Sequence, residues 1–251
     1  MTSTPILQAT NLHKTYRKDA VSVEVLRGVD LEAHESEFLS VIGASGSGKS
    51  TMLHLLGTLD RPDKGEIHFD GKRIDNAPNR QREALRNRTF GFIFQFYHLL
   101  PELSTLENVL MPGMIANGFF GWFTHGRSVK RRAAELLDRV GLSHRLKHKP
   151  RELSGGEMQR AAIARALISN PRILFADEPT GNLDADTGGQ IIQLLRDLNR
   201  QDGVTIIMVT HNLEIVAETD RVVRLLKGKI DEPNEPAPTG IGYSESVEMS
   251  Y

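Results

Sequence analysis

The sequence predicts an α/β domain built around a largely parallel sheet. Short apolar runs alternate with helix-prone stretches, a glycine-rich turn joins one of those runs to a helix, and another run ends abruptly in two carboxylates. At 251 residues with 39% apolar content, the chain can bury a core sufficient for one domain with a subdomain.

The first elements, residues 6–10 and 21–26, read as antiparallel strands flanking the core. Residues 38–42 (FLSVI) form an apolar strand that leads directly into GASGSGKST and then into a helical stretch over 52–56. Strand, glycine-rich loop and helix in this order make a phosphate cradle. Gly43, Gly46 and Gly48, with Ala44, Ser45 and Ser47 between them, let backbone N–H groups close around phosphate oxygens, and the helix N-terminus adds partial positive charge. Lys49 is expected to reach the β- and γ-phosphates, Ser50 to offer its hydroxyl to Mg²⁺, and Thr51 to lie near the α-phosphate.

Residues 90–94 (FGFIF) predict another strand, ending at Gln95. From about 101 to 150 the period is helical, with 129–140 amphipathic, which predicts the first part of a separate helical subdomain. The segment LSGGEMQR (153–160) opens a further helix, and Ser154 and Glu157 have capping-box spacing. Taken alone it is a capped helix; its two glycines also make its N-terminus a second potential anion site.

RILFADEP (172–179) reads as a buried parallel strand. Asp177 at its end would belong to the Mg²⁺ shell, and Glu178 would polarise the water that attacks the γ-phosphate. Adjacent strand residues point to opposite faces, so the two acids are expected to hold different roles. A last apolar strand, 204–209, precedes His211. Beyond Asp231 the chain is rich in Pro, Glu, Gly and Ser, which predicts a disordered tail over 231–251.

Composition narrows the function. The formal net charge is −1, and the cluster Lys130-Arg131-Arg132 reads as the solvated face of a helix, so a nucleic-acid role gains no support. There is no cysteine, in keeping with a reducing compartment. The eight histidines other than His211 lack metal-ligand spacing and read as surface or packing residues. The first ten residues do not have the pattern of a signal peptide, and no window reaches the ~20 apolar residues of a membrane-spanning helix.

The ordered set GASGSGKST, Gln95, LSGGEMQR, FADEP, Asn182-Leu183-Asp184 and His211 resembles the ATP-binding subunits of ABC transporters over residues 6–230. The resemblance implies the P-loop NTPase cassette fold, with a mostly parallel core sheet, an antiparallel β-subdomain and an α-helical subdomain. It implies an ATPase using ATP and Mg²⁺, with Glu178, His211 and Gln95 catalytic and with Ser50, Gln95 and Asp177 around the metal. Tyr16 resembles the aromatic residue that stacks on adenine, although packing explains an early-strand tyrosine equally simply. Ser154, Gly155 and Gly156 are implied to contact ATP held by a partner's phosphate loop, and Asp184 to couple the two halves of a homodimer. Integral membrane permease subunits on separate chains follow from the same resemblance. So does a peripheral place on the cytoplasmic face of a bacterial inner membrane, with no direct contact to the transported substrate.

Phe96-Tyr97-His98-Leu99-Leu100-Pro101 and Thr180-Gly181-Asn182-Leu183-Asp184 are similar to the group of lipoprotein-releasing, macrolide-export and cell-division ATPases. Within that group the lipoprotein-releasing type is the expectation for a chain of this size, and a soluble ABC assembly factor is the alternative of another class. The aromatic run GFFGWF (118–123) departs from the pattern; it reads either as local packing or as a contact with a membrane partner or lipid headgroups.

Overall fold

The computed structural model of the protein describes residues 4–18, 21–231 and 235–236, with the side chains of residues 18, 117–124, 235 and 236 outside that description. The first half contains β1 (Leu7–Lys18), β2 (Val21–Ala33), β3 (Phe38–Ile42), α1 (Lys49–Leu56), β4 (Lys64–Phe69), β5 (Lys72–Arg73), α2 (Asn79–Arg88), β6 (Phe90–Ile93) and α3 (Thr105–Arg139). The second half contains α4 (Gly155–Leu167), β7 (Ile173–Asp177), α5 (Ala185–Asp202), β8 (Thr205–Thr210), β9 (Arg221–Leu226), β10 (Lys229–Ile230) and β11 (Glu235–Pro236).

Two sheets result. An antiparallel sheet has the order β2-β1-β4-β5. In the other, β9, β3, β8, β7 and β6 run parallel in that order, and β10 and β11 pair antiparallel with β9. The α/β class and the mostly parallel core sheet expected from the sequence are both present.

Side-chain alternation along the parallel strands creates two apolar layers. In β7, Ile173 and Phe175 join the layer that includes Met52, Leu53, Leu55 and Leu56 of α1, whereas Leu174 and Ala176 join the layer under α3, α4 and α5. β8 divides in the same way, with Ile207 and Val209 on the α1 side and Ile206 and Met208 on the other. Phe175 anchors the first layer: its ring meets Phe90 edge-on at 5.3 Å and stacks on Phe92 at 5.4 Å.

α3 is not a straight rod. Sixteen residues of ideal helix span about 24 Å, yet a Cβ placed on Gly113 would lie 2.7 Å from Val129 Cγ1, so the helical run doubles back on itself between these residues. Pro112 inside the run removes one ladder hydrogen bond there. Its start is fixed by a capping box in which Ser104 Oγ accepts from the Glu107 backbone and Glu107 accepts from the Ser104 backbone at 2.8 Å.

The structure corrects several sequence expectations. β1 and β2 extend well past residues 10 and 26, because register shifts near Ala9 to Leu12 and Lys14 to Thr15 absorb residues that break the apolar alternation. Arg132 is not on a solvated face: its guanidinium donates to the Ile168 carbonyl at 2.9 Å and the Leu167 carbonyl at 3.2 Å, at the C-terminus of α4. Glu235 and Pro236, expected in a disordered tail, pair with Val222 and Arg221 on the open edge of β9; the rest of the tail from 232 lies outside the described residues. The GFFGWF side chains also lie outside them. Among the described residues no helix is long and apolar enough to cross a membrane.

Phe175→Ala should cost about 3–5 kcal/mol of stability, since it empties a fully buried ring site between two other rings. Chemical denaturation of the variant and the parent chain measures the difference.

Candidate functional site

The carboxyl ends of β3, β7 and β8 lie side by side, with Ile42 beside Thr210 and Asp177 beside Val209 in the ladders. This is where a parallel sheet offers a crevice for ligands. The loop from Gly43 enters α1 through Gly48, whose φ of 105° is open to glycine and strained for any residue with a Cβ. Gly43 has no room for a side chain: a Cβ there would come within 2.3 Å of the Leu225 carbonyl oxygen on β9. The Gly228 N–H donates to the Ser47 carbonyl at 3.1 Å, so the β9–β10 hairpin braces the phosphate loop from outside.

Lys49 is buried, and its ammonium donates to the carbonyls of Gly43 at 2.8 Å and Ala44 at 3.1 Å. It also lies 3.7 Å from Glu178 Oε1. Glu178 reaches the imidazole of His211 with its other oxygen. Ser50 Oγ donates to Asp177 Oδ1 at 2.8 Å, and His54 Nε2 stands 3.8 Å from Asp177 Oδ2. The structure therefore brings together Lys49, Ser50, Asp177, Glu178 and His211 from three separate parts of the sequence.

Strand alternation alone would turn Asp177 and Glu178 away from each other. Glu178 lies past the end of β7 and takes a left-handed backbone with φ 48°, which lets both carboxylates face the loop. The different contacts expected of the two acids remain. The reason is a backbone turn, and the strand pleat does not account for it.

Burial pushes the Asp177 carboxyl above its ordinary range; the hydroxyl of Ser50 and the charges of His54 and Lys49 oppose the shift, and the charge of Glu178 adds to it. Ser50 and Asp177 are hard oxygen donors meeting at one point, and the second is a carboxylate whose negative form is disfavoured by burial. That donor set suits a small divalent cation such as Mg²⁺.

The remaining sequence-derived residues fall into two flanking groups. Gln95 follows β6; Asn182 Nδ2 donates to its backbone carbonyl at 2.9 Å, and its side-chain amide lies against Gly181. Arg165 of α4 donates to the carbonyls of Tyr97 at 2.7 Å and His98 at 2.5 Å, clasping the chain just after Gln95. Ser154 caps α4 in the expected box with Glu157, whose carboxyl is held below its usual range mainly by the Ser154 backbone N–H. Gly155 faces the Tyr97 hydroxyl and Leu183, and Gly156 faces Thr187; none of these belongs to the phosphate loop. Asp184 caps α5 by accepting from the Thr187 N–H at 3.0 Å, and that hydrogen bond lowers its carboxyl. Tyr16 stands apart on β1, 43% exposed.

Three participants escaped the sequence reading. His54, read as a surface or packing residue, neighbours Asp177; its i+5 position after Lys49, on the helix that carries the phosphate loop, was the available signal. Lys14 and Asp60 both contact Tyr16, and only the Lys14–Tyr16 spacing of two on a strand hinted at it.

Residues 26–181 match the ABC transporter family profile, and the chain belongs to that family as an ATP-binding ATPase subunit. Among its relatives, lipoprotein-releasing system ATP-binding protein LolD 2 from Rhodopirellula baltica is 52% identical over 90% of this chain and 89% of its own length. The LolD protein of Syntrophus aciditrophicus is 49% identical over 90% of this chain and 98% of its own. A macrolide export ATP-binding/permease protein, MacB, from Chlorobium luteolum is 49% identical over 91% of this chain, which spans only 33% of that longer protein. Among solved structures, a dimeric ATP-binding cassette in a post-hydrolysis state bound to ADP and Pi superposes with a TM-score of 0.83 and 38% identity, covering 92% of this chain and 99% of that one.

Asp177→Asn removes the ionisable group and keeps its shape. Because the folded-state carboxyl is raised, its contribution to stability is full at low pH and is lost as pH rises through the folded value. At neutral pH the asparagine variant should melt a few degrees above the parent, at about 2–4 °C per kcal/mol relieved, while losing Mg²⁺-dependent ATPase. Thermal scans at pH 4 and pH 7.5 check the sign, and the gain should shrink at the lower pH.

Proposed function

We propose that this chain is the ATPase subunit of a lipoprotein-releasing system, working as a homodimer on the cytoplasmic face of the inner membrane beneath separate permease subunits. The observation that carries this reading is near-full-length likeness to LolD proteins at 45–52% identity. Residues 6–230 would form the working cassette, with 101–150 the first part of its helical subdomain.

The reaction is positioning and electrostatics. The amides of residues 43–51 and the Lys49 ammonium hold the β- and γ-phosphates. Ser50 and Asp177, joined by Gln95, would hold Mg²⁺, which when bound neutralises phosphate charge. Glu178 orients the attacking water and accepts its proton through Oε1 or Oε2. His211, already in contact with Glu178, steadies that carboxylate and reaches the γ-phosphate. Tyr16 stacks on the adenine. Ser154, Gly155 and Gly156, at the N-terminus of α4, close over nucleotide on the partner chain, and Asp184 passes the closure between sites.

Closure requires ATP in both sites, and loss of phosphate removes the charge that holds the two cassettes together. The stroke would reach the membrane partner through the groove of about 400 Å³ beside β6, whose lining includes Phe92, Phe94, His98 and Ile115.

Glu178→Gln in saturating ATP should elute as a dimer on size exclusion while hydrolysing ATP at least about a hundredfold more slowly than the parent. Mass spectrometry of partners retained by this variant from detergent-solubilised membranes checks the assignment. Two membrane proteins with large periplasmic domains, carrying lipoprotein, are expected; cell-wall hydrolase regulators or no membrane partner would overturn it.

A further inference from the structure

The side chain of Tyr16 is restrained to an unusual degree for an exposed residue at the end of a strand. Its phenol donates to Asp60 Oδ2 at 3.0 Å. Lys14 precedes it by two residues, across the register shift between Lys14 and Thr15; the ammonium stands 5.2 Å from the centre of the Tyr16 ring and 2.9 Å from the same Asp60 oxygen. Lys14 is only 8% exposed, and it also donates to the Arg61 carbonyl at 2.7 Å. A buried ammonium needs partners; here they are the Arg61 carbonyl and the Asp60 carboxylate that also holds the phenol.

Asp60 is itself fixed. Its Oδ1 accepts from the Arg61 N–H at 2.7 Å, and buried Arg82 of α2 donates to the carbonyls of Thr58 and Asp60 at 2.7 and 2.8 Å. The Asp60 N–H donates to the His54 carbonyl at 3.2 Å, so the turn folds back on the end of α1. α1 is the helix whose first turn carries Lys49, Ser50 and Thr51. The aromatic ring and the phosphate loop are therefore both registered to one eight-residue helix, about 12 Å long.

The ionisation states agree with the geometry. Burial raises the phenol, and the hydrogen bond from the phenol to Asp60 raises it further, so Tyr16 remains a donor. Burial opposes ionisation of Asp60, but the hydrogen bonds from Lys14, the Arg61 backbone and Tyr16 bring its carboxyl below the ordinary range.

We propose that Lys14 and Asp60 are positioning residues for the ATPase reaction, holding the Tyr16 ring as a preset platform for the purine at a fixed distance from the phosphate loop. The proposal rests on the base-stacking role of Tyr16 given above. With the ammonium over one face of the ring, the purine stacks on the opposite face, and the side-chain freedom that stacking would otherwise remove is already absent before the nucleotide arrives. The partners of Lys14 and Asp60 described above lie outside the cluster of Lys49, Ser50, Asp177 and Glu178. Loss of Lys14 or Asp60 should weaken recognition of the base and leave the chemical step alone.

Steady-state kinetics on the full chain test this with Lys14→Met, Lys14→Arg, Asp60→Asn and Tyr16→Ala, using inorganic tripolyphosphate as a competitor without a base. Lys14→Met and Asp60→Asn should each raise the KM for ATP roughly five-fold, with little change in kcat or in inhibition by tripolyphosphate. Lys14→Arg, which keeps the charge and the Asp60 pair, should recover most of the loss. In a Tyr16→Ala background, Lys14→Met should have no further effect on KM. An undiminished effect in that background, or a parallel loss of tripolyphosphate binding, would overturn the positioning role while sparing the stacking one. An unchanged KM in Tyr16→Ala alone would overturn the stacking role, and this proposal with it.

Discussion

The site is organised around one buried ammonium. Lys49 is 5% exposed and has exchanged water for two carbonyls of its own loop and the carboxylate of Glu178. Burying an unpaired charge would cost far more than a domain of this size can spare. The loop must therefore wrap the lysine, and the end of β7 must deliver a carboxylate to it. Both demands are met by strands whose carboxyl ends are aligned in the parallel ladder, β3 beside β8 and β8 beside β7. The fold supplies the alignment, and the lysine gives it a chemical use.

Around this centre the same side chains serve stability and chemistry together. Ser154 and Asp184 are helix caps in this structure, each satisfying backbone N–H groups that the helix leaves open. Those open N-termini are also where an anion is attracted. Glycines occupy the first two positions of α4, where a Cβ would crowd the Tyr97 hydroxyl or Thr187.

Much of this was legible because parallel strands and phosphate loops are written in contiguous residues. FLSVI and ILFAD became β3 and β7, and the Ser154 box formed as its spacing required. What could not be read depended on partners distant in sequence. Arg132 lies beside Lys130 and Arg131 in a hydrophilic run, and only the packing of α4 against α3 shows that it closes carbonyls at Leu167 and Ile168. The left-handed turn at Glu178 is set by the hydrogen bond from its N–H to Val209 on β8, and no pattern around FADEP announces it. Asp60 carries no signal in its own neighbourhood, because its partners Tyr16 and Lys14 lie 44 and 46 positions away.

The bracing of the phosphate loop by Gly228 has a further implication for how the molecule is made. β3 lies between β8 and β9, and both neighbours are more than 160 residues downstream. During synthesis the loop emerges well before β8 and β9, and it has no lateral support until they have left the ribosome. Such distant pairings are slow to form, and they expose apolar strand edges in the interval. Nucleotide affinity should thus appear only after β8 and β9 have emerged, and a chain stopped before them should be unable to engage ATP.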